Sequence, residues 1–297
     1  MGITRDSSPN LRSWILLILL SLIWGSSFIL MKKGLVVLSS GEVGALRIIF
    51  ASLVLSPIAI RNLPRISRDN WKLLFVIGLV GTFFPAFLFA IAQTKLESSI
   101  TGVLNALTPL WVLIMGSLFF SQLITLKKAM GVALGFIGSA ILILTGSDSS
   151  FGSINSYAFF VILATALYGI NLNTIKQYLG HLKAKVITSV SILFVSPLAL
   201  AYLLTTTDFI PKMGQIEGFW LATFYIAVLG TVGTALALIM FNHLVQITNP
   251  IFTSSVTYLI PIVAIGWGII DGEHLYLMHY LGIAVILSGI YLVNRSN

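Results

Sequence analysis

A few polar residues stand inside stretches that are otherwise apolar, and any chemistry this chain performs must start from them. In VLNALTPLWVLIMGS, Val103 to Ser117, an amide and a proline interrupt the run. A mid-helix proline removes a backbone donor and frees the carbonyl four residues earlier, here that of Asn105. Thr101, Asn105, Pro109, Val112 and Gly116 recur at helical spacing and share one face, and Thr253, Thr257, Pro261, Ala264 and Gly268 draw the same stripe later in the chain. Two kinked helices with a small, polar face suit the wall of a wet solute path. The alternative is close helix packing through small residues. Ser27, Thr82, Gln93, Tyr168, Asn171, Asn242 and Tyr258 offer further hydrogen bonds to a solute, and Tyr168 and Asn171 are three apart on one face. Trp24, Phe89, Tyr168, Phe241 and Tyr258 are candidates to line an apolar pocket. Each also has a packing reading, since Ser and Thr can bond their own helix backbone.

Other chemistries find little to work with. Arg47 is the one charge well inside an apolar run. Its place near the start of that run allows snorkelling outward, pairing with Glu42 or contact with a solute. The acids lie outside the central portions of the apolar runs, so no buried proton relay is visible. The patch DGEHLYLMH holds Glu273, His274 and His279, but its histidines are five apart rather than the four of a helical zinc pair. With no cysteine there is neither a thiolate nucleophile nor a Cys-ligated metal. No spaced acid pair or Ser/His/Asp set appears, so the reading is a non-enzyme with no metal and no cofactor.

The elements that carry these residues follow from composition. Of 297 residues 57% are hydrophobic and 9% charged, with a mean hydropathy of +1.01. That is too few charges to cover a soluble domain of this size. Ten runs approach the length of a bilayer span: 13–31, 43–60, 71–92, 98–120, 129–145, 157–175, 186–204, 219–242, 251–270 and 275–293. The net charge of +8 is spread over the gaps between them, which argues for topology and against nucleic acid. With the N-terminus inside, twelve Lys and Arg fall in inside segments against four outside, namely Lys32, Lys33, Lys95 and Lys212. Both termini are therefore expected in the cytoplasm.

The two halves also repeat. A shift of 152 residues lays VGT at 80–82 over VGT at 232–234 and pairs Gly78 with Gly230, Phe89 with Phe241, Thr101 with Thr253 and Pro109 with Pro261. Near the start of each half the offset is 144, which sets Trp24-Gly25 over Tyr168-Gly169. Residues 1–149 and 150–297 are expected to form one five-helix unit each. Because five is odd, the second unit is inverted in the membrane.

LxWGSSF at Leu22 to Phe28, Arg47 in ALRIIFASLVL, the LxP segments ending at Pro109 and Pro261, and Gly272-Glu273 before Gly282 and Gly289 resemble EamA-type members of the drug/metabolite transporter superfamily. The resemblance covers nearly the whole chain. It departs where Gln122 stands at the position that corresponds to Glu273 in the other half. It implies an all-α integral membrane protein with ten transmembrane helices, as two inverted five-helix repeats around a central cavity. The implied function is secondary transport of a small organic metabolite, an amino acid or drug-like solute among the candidates, across the cytoplasmic membrane by alternating access, with export favoured. A membrane channel or receptor is the alternative, and an integral membrane enzyme ranks below it. The expected partners are the solute and the lipid bilayer. A monomer is expected, with Gly131-xxx-Gly135 as the feature that would favour a dimer.

Overall fold

In the computed structural model, which describes residues 11–121, 125–144, 155–247 and 256–295, helices stand at all ten positions where the sequence predicts a span. They are α1 (Leu11–Leu35), α2 (Ser40–Asn62), α3 (Arg68–Ala92), α4 (Ser98–Phe120), α5 (Leu126–Leu144), α6 (Ala158–Tyr178) and α7 (Ala184–Thr206). α8 follows as three abutting segments, Phe219–Val228, Leu229–Leu236 and Ala237–Ile247, and then α9 (Val256–Ile270) and α10 (Leu277–Arg295). There is no strand among the described residues. Seven of these helices are long and apolar enough to cross a membrane, and the apolar stretches of α9 and α10 are shorter.

The outer surface is apolar. Trp14, Ile18 and Leu22 are exposed along α1, Leu118 and Phe119 on α4, and Trp220, Leu221 and Phe224 on α8. A soluble protein would not display such a continuous surface, whereas a bilayer accepts it.

Helix packing pairs the first five helices with the second five. α5 lies along α10 and α2 along α7; α1 packs on α9 and α8, as α6 packs on α4 and α3; α2 touches α8, as α7 touches α3. Small residues allow the closest approaches. A Cβ on Gly138 would meet the Gly282 carbonyl oxygen at 2.7 Å, and one on Gly289 would meet the Gly131 carbonyl oxygen at 2.5 Å. The Gly131 region that offered a dimer face is thus used inside the chain, between α5 and α10.

Candidate functional site

Both copies of VGT lie in π-helix. Leu79–Phe83 forms a π segment in α3 and Leu229–Leu236 a longer one in α8. Glycine weakens the regular helix, and the Thr234 hydroxyl reaches back five residues to the Leu229 carbonyl at 3.3 Å, a bond that suits the wider turn. Such segments inside transmembrane helices are uncommon and frequently mark functional sites.

Each π segment receives a polar residue from the first helix of the other half. Asn171 of α6 lies on Gly81, where an added Cβ would come within 2.6 Å of its amide. Ser27 of α1 lies on Gly233, where an added Cβ would be 2.9 Å from its hydroxyl. Ser27 donates to the Ile23 carbonyl at 3.0 Å, and Trp24 Nε1 donates to the Gly233 carbonyl at 3.1 Å. The Asn171 Oδ1 is buried with no hydrogen-bond partner among the described residues. The same exchange relates Gly78, packed on the Ser191 carbonyl, to Gly230, packed on the Arg47 carbonyl. Aromatic rings flank the region: Tyr168 stacks on Phe89 with centroids 6.0 Å apart, and Trp24 meets Phe241 at 5.2 Å. Thr82 is half-buried beside Gly81.

Arg47 neither snorkels nor pairs with Glu42. Its Nε donates to Thr234 Oγ1 at 3.1 Å, inside the α8 π segment. Glu42 is fully buried and engaged elsewhere, accepting the Ser39 backbone N–H at 2.7 Å and the Lys212 ammonium at 3.0 Å on both oxygens.

Pro109 does more than kink its helix. α4 breaks between Asn105 and Thr108, with tight bonds from Ala106 to Val103 and from Leu107 to Leu104, both 3.0 Å. The Asn105 carbonyl that Pro109 frees accepts the Thr108 hydroxyl at 2.8 Å. The Asn105 side chain is half-buried with no hydrogen-bond partner among the described residues. Thr101 is fully buried and bonded to the Glu97 carbonyl at 3.0 Å, a packing position in this conformation. α9 runs unbroken through Pro261. Thr253 lies outside the described residues, as do the side chains of Asn242, Thr257 and Tyr258, although their backbones fall within α8 and α9.

One end of the bundle is tied by charges. Glu273, in the α9–α10 turn, accepts the backbone N–H and hydroxyl of Ser98 at 2.8 and 2.6 Å on one oxygen and those of Ser99 at 3.0 and 2.5 Å on the other. It therefore caps the N-terminus of α4, where backbone donors are free and a negative charge is favoured. Lys32, near the end of α1, adds an ion pair at 2.8 Å and also reaches Asp271 at 3.0 Å and Glu97 at 3.2 Å. Lys33 pairs with Asp271 as well. Burial alone would push the Glu273 carboxyl up, but the hydrogen bonds from Lys32, Ser98 and Ser99 outweigh it and hold the carboxyl at about 2. Glu97 is raised, first by burial and then by the Glu273 charge. Asp271 is lowered, chiefly by Lys33. Gln93 belongs to this end too. Its Nε2 donates to the Phe28 carbonyl at 3.0 Å while its Oε1 is buried with no partner among the described residues. It lines a cavity of about 360 Å³ with Lys32, Leu38 and Ser40. A second space of about 530 Å³ lies between α5 and α10, and neither cavity is lined by a residue of the π segments.

The polar positions that sequence reasoning missed are Thr234 as the partner of Arg47, Asn173, whose Nδ2 joins α6 to the Val112 carbonyl of α4 at 2.8 Å, and Ser98 and Ser99 as the seat of Glu273. Only Thr234 carried a signal, the second VGT.

Comparison with known proteins agrees with this architecture. The sequence matches the EamA-like transporter family over residues 12–144 and 155–295. An uncharacterized transporter of Synechocystis is 25% identical over 99% of this chain and 93% of its own length. An uncharacterized transporter of Archaeoglobus fulgidus is 26% identical over 53% of this chain, which spans 56% of that relative. A chloroplastic WAT1-related protein of Arabidopsis thaliana is 28% identical over 55% of this chain and 40% of its own length. A solved crystal structure superposes with a TM-score of 0.61 over 95% of this chain and 96% of the other, at 16% identity, a likeness of fold alone.

Proposed function

Because the chain belongs to the EamA-like transporter family, we propose that it is a secondary carrier that moves a small organic solute across the cytoplasmic membrane by alternating access. In this reading ten spans form two inverted units, residues 1–149 and 150–297, with both termini in the cytoplasm. The solute binds near the middle of the bilayer between the two π segments. The observation that carries the reading is their reciprocity: the glycine of each VGT faces a polar residue from the first helix of the opposite unit, Asn171 on Gly81 and Ser27 on Gly233. A site built twice, once in each orientation, is what exchange between two mirrored states requires. The pairing of α5 with α10 and α2 with α7 supports the same division. On this topology the Lys32–Glu273 and Lys212–Glu42 ties both lie at the exterior end and link one unit to the other. They favour a state closed to the outside. Export is the favoured direction, on the family resemblance, and the working unit is a monomer.

The test is flux in proteoliposomes loaded with a metabolite extract, with the released compounds identified by mass spectrometry. A carrier releases a restricted set, saturates, and is accelerated by the same compound on the opposite side. Conductance without saturation identifies a channel. Release no faster than from protein-free liposomes overturns the carrier reading.

A further inference from the structure

Arg47 stands about 10 Å along α2 from Ser40, by helical rise, beneath a turn in which Val43, Gly44, Ala45 and Leu46 are all buried. Its guanidinium has five N–H donors. One of them, on Nε, meets the neutral hydroxyl of Thr234. Among the described residues no carboxylate pairs with it, and no acceptor is bonded to its terminal nitrogens. Glu42, the nearest acid in sequence, is already shared between Lys212 and Ser39. The side chain is only half-buried, so its remaining donors are not sealed off.

A guanidinium at this depth with a single neutral partner among the described residues is costly, and such charges persist where a function uses them. The surroundings suit a ligand. The Tyr168 hydroxyl lies within electrostatic range of Arg47, and its ring stacks on Phe89. Thr234, bonded back to Leu229, holds the guanidinium by its Nε edge and, among the described residues, nothing is bonded to the terminal fork, which suits a planar anion.

We propose that Arg47, oriented by Thr234, is the subsite for an anionic group on the transported solute, a carboxylate or a similar planar oxyanion. The proposal rests on the carrier reading, because it assigns that carrier's substrate class. A solute lacking the anion would leave the guanidinium unmatched and so would bind less well.

The probe is 3-phenylpropionate, an aromatic monocarboxylate matched to the flanking rings, with 3-phenylpropionamide as its neutral counterpart. Thermal unfolding of the purified full chain in detergent is followed by tryptophan fluorescence. The carboxylate is expected to raise the wild-type midpoint and the amide is not. Arg47→Gln should weaken the carboxylate response on the order of 10- to 100-fold, and Arg47→Lys, which keeps the charge and loses the fork, should fall between. Without ligand, Arg47→Gln should melt at or above wild type, whereas a purely structural Arg47 would make it melt lower. Equal responses to acid and amide, an unchanged response in Arg47→Gln, or no wild-type response to the carboxylate would each overturn the subsite. The two readings fail separately. Flux of neutral or cationic solutes with indifference to carboxylates would refute the subsite and keep the carrier. Arg47-dependent carboxylate binding without flux in sealed vesicles would do the opposite.

Discussion

Replacing Glu273 with Gln keeps the volume of the side chain and removes its charge. The amide oxygen can still accept from Ser98, but the amide nitrogen then faces Ser99, whose hydroxyl can turn to accept from it while its backbone N–H becomes a donor without an acceptor. The Lys32 ion pair at 2.8 Å is lost with it. The size of the effect follows from the carboxyl, lowered from an ordinary 4.5 to about 2. That difference corresponds to about 3 kcal/mol of folding stability at neutral pH, a ceiling because water reaches Lys32 and screens the pair. The carboxyl is lowered on folding, so its contribution is fully present above pH 4.5 and disappears as the pH falls toward 2. Unfolding in mixed micelles as a function of pH reads this directly. At pH 7 Glu273→Gln should be less stable by about 2–3 kcal/mol, and the gap to wild type should close as the pH approaches 2. The same substitution at Glu97, whose carboxyl is raised on folding and whose side chain is 43% exposed, should cost nothing or slightly stabilise at neutral pH. A gap of equal size at low and neutral pH, or no gap at all, would refute the capping role assigned to Glu273.

Three further outcomes are expected. Gly233→Ala and Gly81→Ala place a methyl 2.9 Å from the Ser27 hydroxyl and 2.6 Å from the Asn171 amide, so each should reduce flux in a protein that still inserts, at a cost of about 1–3 kcal/mol. Adding Ser27→Ala to Gly233→Ala should restore part of the loss, and no restoration would place the damage elsewhere. Asn105→Leu should weaken solute binding by on the order of 1 kcal/mol with normal insertion, while lower folded yield at unchanged affinity would make Asn105 a packing residue. Reporter fusions at Asn297 and at Ser149 should report the cytoplasm and the exterior respectively, and both on one side would contradict two five-helix units.

The helical layout was legible because a bilayer imposes length and apolarity on each span, and those properties are written locally. The duplication showed in VGT, in Pro109 and Pro261, and in the glycines that helix contacts require. The π segments were not legible, because widening a few turns changes neither composition nor, appreciably, period. The unlike behaviour of the two prolines has a readable cause in hindsight. LTP puts Thr108 where its hydroxyl caps the Asn105 carbonyl, so α4 can break, whereas LIP puts Ile260 at that place and offers no such cap to α9. Arg47 was conspicuous as a charge, but its partner stands 187 residues away, and the seat of Glu273 at Ser98 stands 175 away. Pairings of that kind are decided by which helices meet.

Alternating access is tested most directly by accessibility from each side of the membrane. Thr82→Cys introduces a single thiol into a cysteine-free chain, beside the first π segment. Sealed vesicles of known orientation are treated with a membrane-impermeant maleimide from outside or inside, with and without Glu273→Gln. The thiol should label from both faces, and the substitution, by releasing the exterior tie, should raise exterior labelling while lowering cytoplasmic labelling in step. Labelling from one face only under every condition, or labelling from both faces that does not shift reciprocally, would contradict a site that opens to each side in turn.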